Sequence, residues 1–191
     1  MTRSESLMDL SGKLLIAMPG MSDPRFDKSV IFMCAHSEDG AMGLIVNQPA
    51  VDLMFDDLLE QLEIPMSEPD LPTEIHVGGP VEHGRGFVLH SSEYEIEDTT
   101  LRVDDHFSMT ATLQILEDMA FRRGPKKALL ALGYSGWAPG QLEGEIAHNG
   151  WLTAEASHEI VFEADNSQKW EMALATLGID PLTLSASAGR A

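Results

Sequence analysis

Val30-Ile31-Phe32-Met33-Cys34-Ala35 is apolar throughout, Met42-Gly43-Leu44-Ile45-Val46 nearly so, and Ser37-Glu38-Asp39-Gly40 between them carries the residues of a turn. The pattern predicts a β-hairpin. Its strands do not alternate apolar with polar, as half-solvated strands would, so both faces of the sheet must be covered. Upstream, Leu14-Leu15-Ile16-Ala17-Met18 predicts another buried strand, ended by Pro19-Gly20. Downstream, strands are expected at Glu74–Val77, Arg85–His90, Ala128–Leu132 and His158–Glu163.

Helices are expected between them. Asp52 is placed to cap one carrying Phe55, Leu58, Leu59 and Leu62 on a single face. A second, capped near Asp105 or Ser108, would carry Met109, Leu113, Leu116 and Ala120, and a short one runs from Gln141 to Asn149. A last one, capped near Asn166, presents Trp170, Ala173, Leu174 and Leu177. An early hairpin with helices interspersed irregularly predicts an α+β fold, not a doubly wound parallel sheet.

The 191 residues read as one domain, 1–191, with loose ends at 1–8 and 182–191. Such a chain buries roughly 70% of its unfolded surface without metal or disulfide staples. Only the charge balance is unusual: 31 acidic against 12 basic residues leaves −19 at pH 7. A surface of that sign repels DNA and anionic membranes, so neither nucleic acid nor membrane is an expected partner. Cys34 is the only cysteine and lies in an apolar run, which predicts a core thiol and a reducing compartment. The stretch Leu14–Met18 is too short for a signal-peptide core, and a cytoplasmic protein is expected. Seven histidines show no H-x-H or H-E-x-x-H spacing, so no metal and no cofactor is expected.

Three motifs carry the remaining chemistry. Gly133-Tyr134-Ser135-Gly136-Trp137 approaches the nucleophile elbow G-x-S-x-G, but Trp137 stands where the strained turn needs glycine. It reads instead as a glycine-rich strand exit, with Tyr134, Trp137 and Trp151 lining a pocket or sealing the core. Gly78 to Gly86 is the densest glycine cluster and reads as a pair of tight turns. Its functional alternative is a loop whose amides and Arg85 hold a ligand. Arg122-Arg123-Gly124-Pro125-Lys126-Lys127 reads as a helix end, with Gly124 at the stop. Catalytic residues are not identified. The candidate ligand-contacting residues are Gly78, Gly79, Arg85, Tyr134, Gly136 and Trp137.

Several segments together resemble one family. Gly12-Lys13-Leu14-Leu15-Ile16-Ala17-Met18-Pro19 is similar to the opening of YqgE/AlgH proteins, and Gly40-Ala41-Met42-Gly43-Leu44-Ile45-Val46-Asn47-Gln48-Pro49 to their second segment. Gly78-Gly79-Pro80-Val81 with Arg85 to His90 is similar to the third, and Gly133 to Trp137 with Gly140-Gln141-Leu142-Glu143 to the fourth. The resemblance implies a mixed, mainly antiparallel, bifurcated sheet curled into a pseudo-barrel and flanked by helices. It implies no reaction and no cofactor for this largely uncharacterised bacterial family; the AlgH name reflects a proposed role in regulating alginate production. Two functions stay open. One is a non-enzymatic binding or regulatory protein acting through a protein partner or a small ligand. The other is a hydrolase or transferase assembled from Arg85 with His83, Glu143 or Ser135. The oligomeric state is open.

Overall fold

Successive residues of the apolar strands face opposite cores. A computed structural model of the chain describes residues 9–19, 26–65 and 73–182; the expectations for the ends 1–8 and 183–191 lie outside them. The first strands are β1 (Lys13–Ala17), β2 (Val30–Ser37) and β3 (Gly40–Ile45), paired antiparallel with Leu14 opposite Phe32 and Phe32 opposite Leu44. Leu14, Ile16, Val30, Phe32 and Leu44 enter an inner core. Leu15, Ala17, Ile31, Met33 and Ile45 enter an outer one. This double cover explains why no polar residue interrupts the runs Leu14–Ala17 and Val30–Ala35 within them.

The rest of the sheet comprises β4 (Ile75–Val77), β5 (Val81–Ser91), β6 (Thr100–Arg102), β7 (Phe107–Thr110), β8 (Ala128–Trp137) and β9 (Trp151–Glu155). The order is β6-β7-β5-β8-β3-β2-β1-β9, with β4 parallel to β8 as a branch. Helices α1 (Phe55–Gln61) and α2 (Leu113–Ala120) cover the outer face of β4, β5 and β8. Helix α3 (Gln141–Ala147) packs Leu142 against the outer face of the hairpin. A π-helical turn (Glu159–Glu163) and α4 (Asn166–Ala175) pack Ile160, Val161, Trp170 and Leu174 into the inner core. Phe32 of β2 meets Phe107 of β7 at 4.6 Å between ring centres, so the two ends of the sheet curl toward one another around that core. The fold is α+β with a bifurcated, curled sheet.

Strand β8 makes the fork. Its first half pairs with β5 on one side and β4 on the other, and its last residues, Ser135 to Trp137, pair with β3. Gly78 sits in the crotch: its N–H donates to the Leu132 carbonyl at 2.8 Å, and its carbonyl accepts from Ile45 N–H at 2.9 Å. The buried Ser135 hydroxyl donates to the same carbonyl at 3.2 Å. A Cβ on Gly78 would lie 2.3 Å from the Gly133 carbonyl oxygen, and one on Gly79 2.2 Å from the Tyr134 carbonyl carbon. Only glycine lets two backbones approach so closely.

Several expected elements differ. The stretch from Gly133 continues β8 through Trp137 and does not exit the strand, because its glycines relieve close approach at the fork. Most of the Gly78–Gly86 cluster likewise lies in β5, whose register shifts between Val81 and Gly86. Met109 belongs to β7, opposite Leu89, and the second helix begins after Thr112. Strand pairing with β5 overrides the helical spacing of Met109 and Leu113. The π-helical turn replaces the strand expected at His158–Glu163, since it turns the neighbours Ile160 and Val161 into one core. Met54, not Asp52, caps α1, and Arg122 at φ 58° takes the left-handed position after α2 that Gly124 was expected to fill.

The fork generates a test. Gly79→Ala forces backbone apart and is expected to destabilise by about 2–3 kcal/mol, read as a lower urea midpoint. Gly84→Ala, whose Cβ would meet nothing within 4 Å, should move stability by less than ~0.5 kcal/mol.

Candidate functional site

A groove of about 720 Å³ opens across β2, β3, β8, β5 and β6. Arg85, Tyr134, Gly136 and Trp137 line it, although they come from two strands and lie up to fifty-two positions apart in the chain. Gly78 and Gly79 do not line it; their place in the fork accounts for them.

The four differ in what they leave free. Trp137 is 7% exposed, and its indole N–H donates to Glu145 Oε1 at 3.0 Å. Trp151 donates to the same oxygen at 2.9 Å, and Gln141 holds the other carboxylate oxygen. Trp137 is thus a wall anchored to α3. Gly136 gives room to the Tyr134 ring, which a Cβ there would meet at 3.3 Å. Tyr134 packs edge-on against Phe87, and the Arg85 guanidinium lies over the other partner of that pair, 5.1 Å from the Phe87 ring centre. The Arg85 side chain remains 55% exposed, and its ion pair among the described residues is with Glu82 at 3.7 Å. A surface pair of this kind contributes little and exchanges readily.

Arg102 and His36 also line the groove and were not among the candidates, and Cys34 was expected only as a core thiol. Arg102 of β6 faces the same groove in a loose pair with Asp105 at 3.4 Å. The His36 side chain is only 2% exposed: the Leu10 N–H donates to its Nδ1 at 3.1 Å, so Nε2 carries the proton and donates to Glu143 at 3.0 Å. A backbone amide in the first turn of α3 and the His36 imidazole hold the Glu143 carboxyl below its usual range. Cys34 touches the groove from the core, and burial pushes its thiol up to about 12.

Ser135 is buried with its hydroxyl turned to the Gly78 carbonyl, Glu143 is engaged by His36, and His83 is exposed on β5. No group of three or more His, Cys, Asp or Glu among the described residues could hold a metal ion. No helix among them is long and apolar enough to cross a membrane.

A second polar cluster lies apart from the groove. Lys169 of α4 is 2% exposed, and its Nζ donates to the Val46 and Val161 carbonyls at 2.7 and 2.8 Å. Desolvation lowers its pKa from 10.5 to about 8, against the opposing pull of Glu74. Beside it, His76 of β4 has Nδ1 3.3 Å from the Leu130 carbonyl and Nε2 3.2 Å from Asn166 Oδ1. Burial, and then the charge of Lys169, lower the pKa of His76. One signal was available in the sequence: Lys169 stands four residues before Ala173 on the buried stripe of α4, where a lysine needs partners.

Comparison with known proteins supplies the context. A family model described as AlgH-like matches residues 14–182. The chain is 63% identical over 185 residues to a UPF0301 protein of Ruegeria pomeroyi, covering 96% of this chain and 100% of that one. It is 58% identical over 184 residues to a UPF0301 protein of Cereibacter sphaeroides, with 96% and 100% covered. The solution structure of the AlgH protein from Pseudomonas aeruginosa aligns with a TM-score of 0.79 at 39% identity, covering 97% of each chain. A crystal structure from Corynebacterium diphtheriae aligns at 0.69 with 23% identity, over 86% of this chain and 85% of that one, and shares the fold.

The lowered lysine makes stability depend on pH. Between about 8 and 10.5 the unfolded chain binds the Lys169 proton more tightly than the folded one, so this group's contribution rises with pH across that window. The gap corresponds to on the order of 3 kcal/mol. Cys34, with its raised pKa, pulls the other way above pH 9 in any variant that retains it. Urea unfolding of wild type and Lys169→Met at pH 7 and pH 10 should therefore show the difference between them shift in favour of wild type at the higher pH. A pH-independent difference would contradict it.

Proposed function

The chain belongs to the AlgH-like family, and from that premise we propose that it is a cytoplasmic binding protein acting by contact, with its ligand seated in the groove of the curled sheet. One observation carries the reading: Arg85 and Tyr134, from separate strands, converge there with Arg102 on one concave surface. Among the described residues both arginines pair with carboxylates in exposed, exchangeable ion pairs. Met42, Phe87 and Tyr134 supply an apolar floor, while Asp39 and Glu82 set negative charge beside the arginines. Mixed charge around an apolar floor suits a peptide segment of a partner protein, or a small ligand offering the same groups.

Catalysis draws no support from these residues. Ser135 is turned into the fork, and the Cys34 thiol is protonated at neutral pH. A net charge of −19 opposes direct contact with DNA. A regulatory role would therefore run through protein contacts or ligand sensing.

The test is recovery of a bound species with the purified full chain. Arg85→Glu and Tyr134→Ala are each expected to cut a stoichiometric peptide or small-molecule ligand by about tenfold, with the urea midpoint of the Arg85 variant unchanged. Native mass spectrometry separates the two ligand types. Equal recovery from wild type and both variants would remove the groove as the site.

A further inference from the structure

The groove leaves Lys169 unused, and the surroundings of that residue are not those of a simple clamp. A cavity of about 250 Å³ adjoins it, lined by Thr73, Glu74, His76, Asn166 and Lys169 and sharing no residue with the groove. A cavity of that size takes several heavy atoms besides water. We infer that this cavity is a second site, in which the Lys169 amine forms an imine with a small aldehyde or ketone.

Geometry supports this in two ways. The neutral amine has two N–H bonds, and the Val46 and Val161 carbonyls accept both. The remaining tetrahedral position of Nζ is the lone pair, oriented by those carbonyls before any substrate arrives. Pre-orientation of a nucleophile lowers the barrier to its attack. The π-helical turn matters here, since it supplies the Val161 carbonyl.

Acid–base partners lie in the same cavity. Both ring nitrogens of His76 face oxygens: Nδ1 the Leu130 carbonyl, Nε2 the Asn166 amide and, at 3.4 Å, the Glu74 carboxylate. Hydrogen bonding therefore favours a second proton on the ring, while burial and Lys169 oppose it. A ring balanced in this way can take and return a proton. Glu74 is 59% exposed at the rim and connects the ring to water.

The step balances. Nζ attacks the carbonyl carbon and the π pair moves to oxygen, which takes a proton. The nitrogen gives up both its protons in turn through His76: the first makes the hydroxyl, and the second lets that hydroxyl leave as water while the nitrogen lone pair forms C=N. Amine and carbonyl compound give imine and water, with no change of oxidation state.

The intact protein tests this directly. Acetaldehyde or acetone is added at pH 7.5 with sodium borohydride, which reduces any imine to a stable secondary amine, and digestion with mass spectrometry locates it. The chain has five lysines, so Lys13, Lys28, Lys126 and Lys127 serve as internal controls. Lys169 should be modified at least about tenfold more than each of them. His76→Gln, and separately Glu74→Gln at the exposed rim, should reduce that preference about fivefold with the circular dichroism melt retained. Labelling of Lys169 no greater than that of the surface lysines overturns the site. Selective labelling that neither variant slows overturns the role given to His76 and Glu74.

Discussion

Two backbones touch where β8 forks, and the rest of the architecture depends on that contact. Gly78-Gly79 runs between β3 and β8 so closely that neither position has space for a methyl group. Hydrogen bonds from Gly78 reach both branches, to Leu132 on one side and from Ile45 on the other. Without that approach β8 could not serve β4 and β5 with one half and β3 with the other. The sheet would then lack the divergence that lets it curl around the inner core and open the groove.

The fork also separates structural residues from those left available. Polar groups near it are bound inward: Ser135 to the Gly78 carbonyl, Trp137 and Trp151 to Glu145, His36 to Glu143. Each of these is buried or nearly so, where an unmade hydrogen bond would cost about 1–3 kcal/mol. Arg85 and Arg102 stand in the opposite condition, exposed and weakly paired, with Arg85 over the Phe87 ring. The buried network holds the walls of the groove, and the arginines remain able to change partners. Lys169 differs from both. It is buried and charged-group chemistry is retained there through carbonyl contacts, which tie α4 to the end of β3 and to the π-helical turn.

Much of the fold was legible because local pattern and tertiary demand agree. The unbroken apolar runs at Leu14, Val30 and Leu44 required a sheet covered twice, and each face has its own core. The turn at Ser37 to Gly40 placed the hairpin, and the stripe from Trp170 to Leu174 placed the last helix. Where the two disagree, the pattern misled. Met109 and Leu113 have helical spacing, yet β5 pairs with the first of them as strand. Gly133 and Gly136 have turn composition, yet the strand passes straight through them.

The candidate site divides in the same way. Residue types and order alone determined an acidic α+β chain with a buried thiol, and marked Arg85, Tyr134, Gly136 and Trp137 as unusual. Tertiary structure decided that these four share one groove and that Gly78 and Gly79 stand outside it. It also places His36 and Arg102 at the same groove and buries Lys169. The reason is physical: periodicity records which face of an element is buried, whereas a site is made by side chains from elements whose meeting depends on long-range backbone pairing. Here that pairing is set by two glycines in contact with β8, more than fifty residues away in the chain.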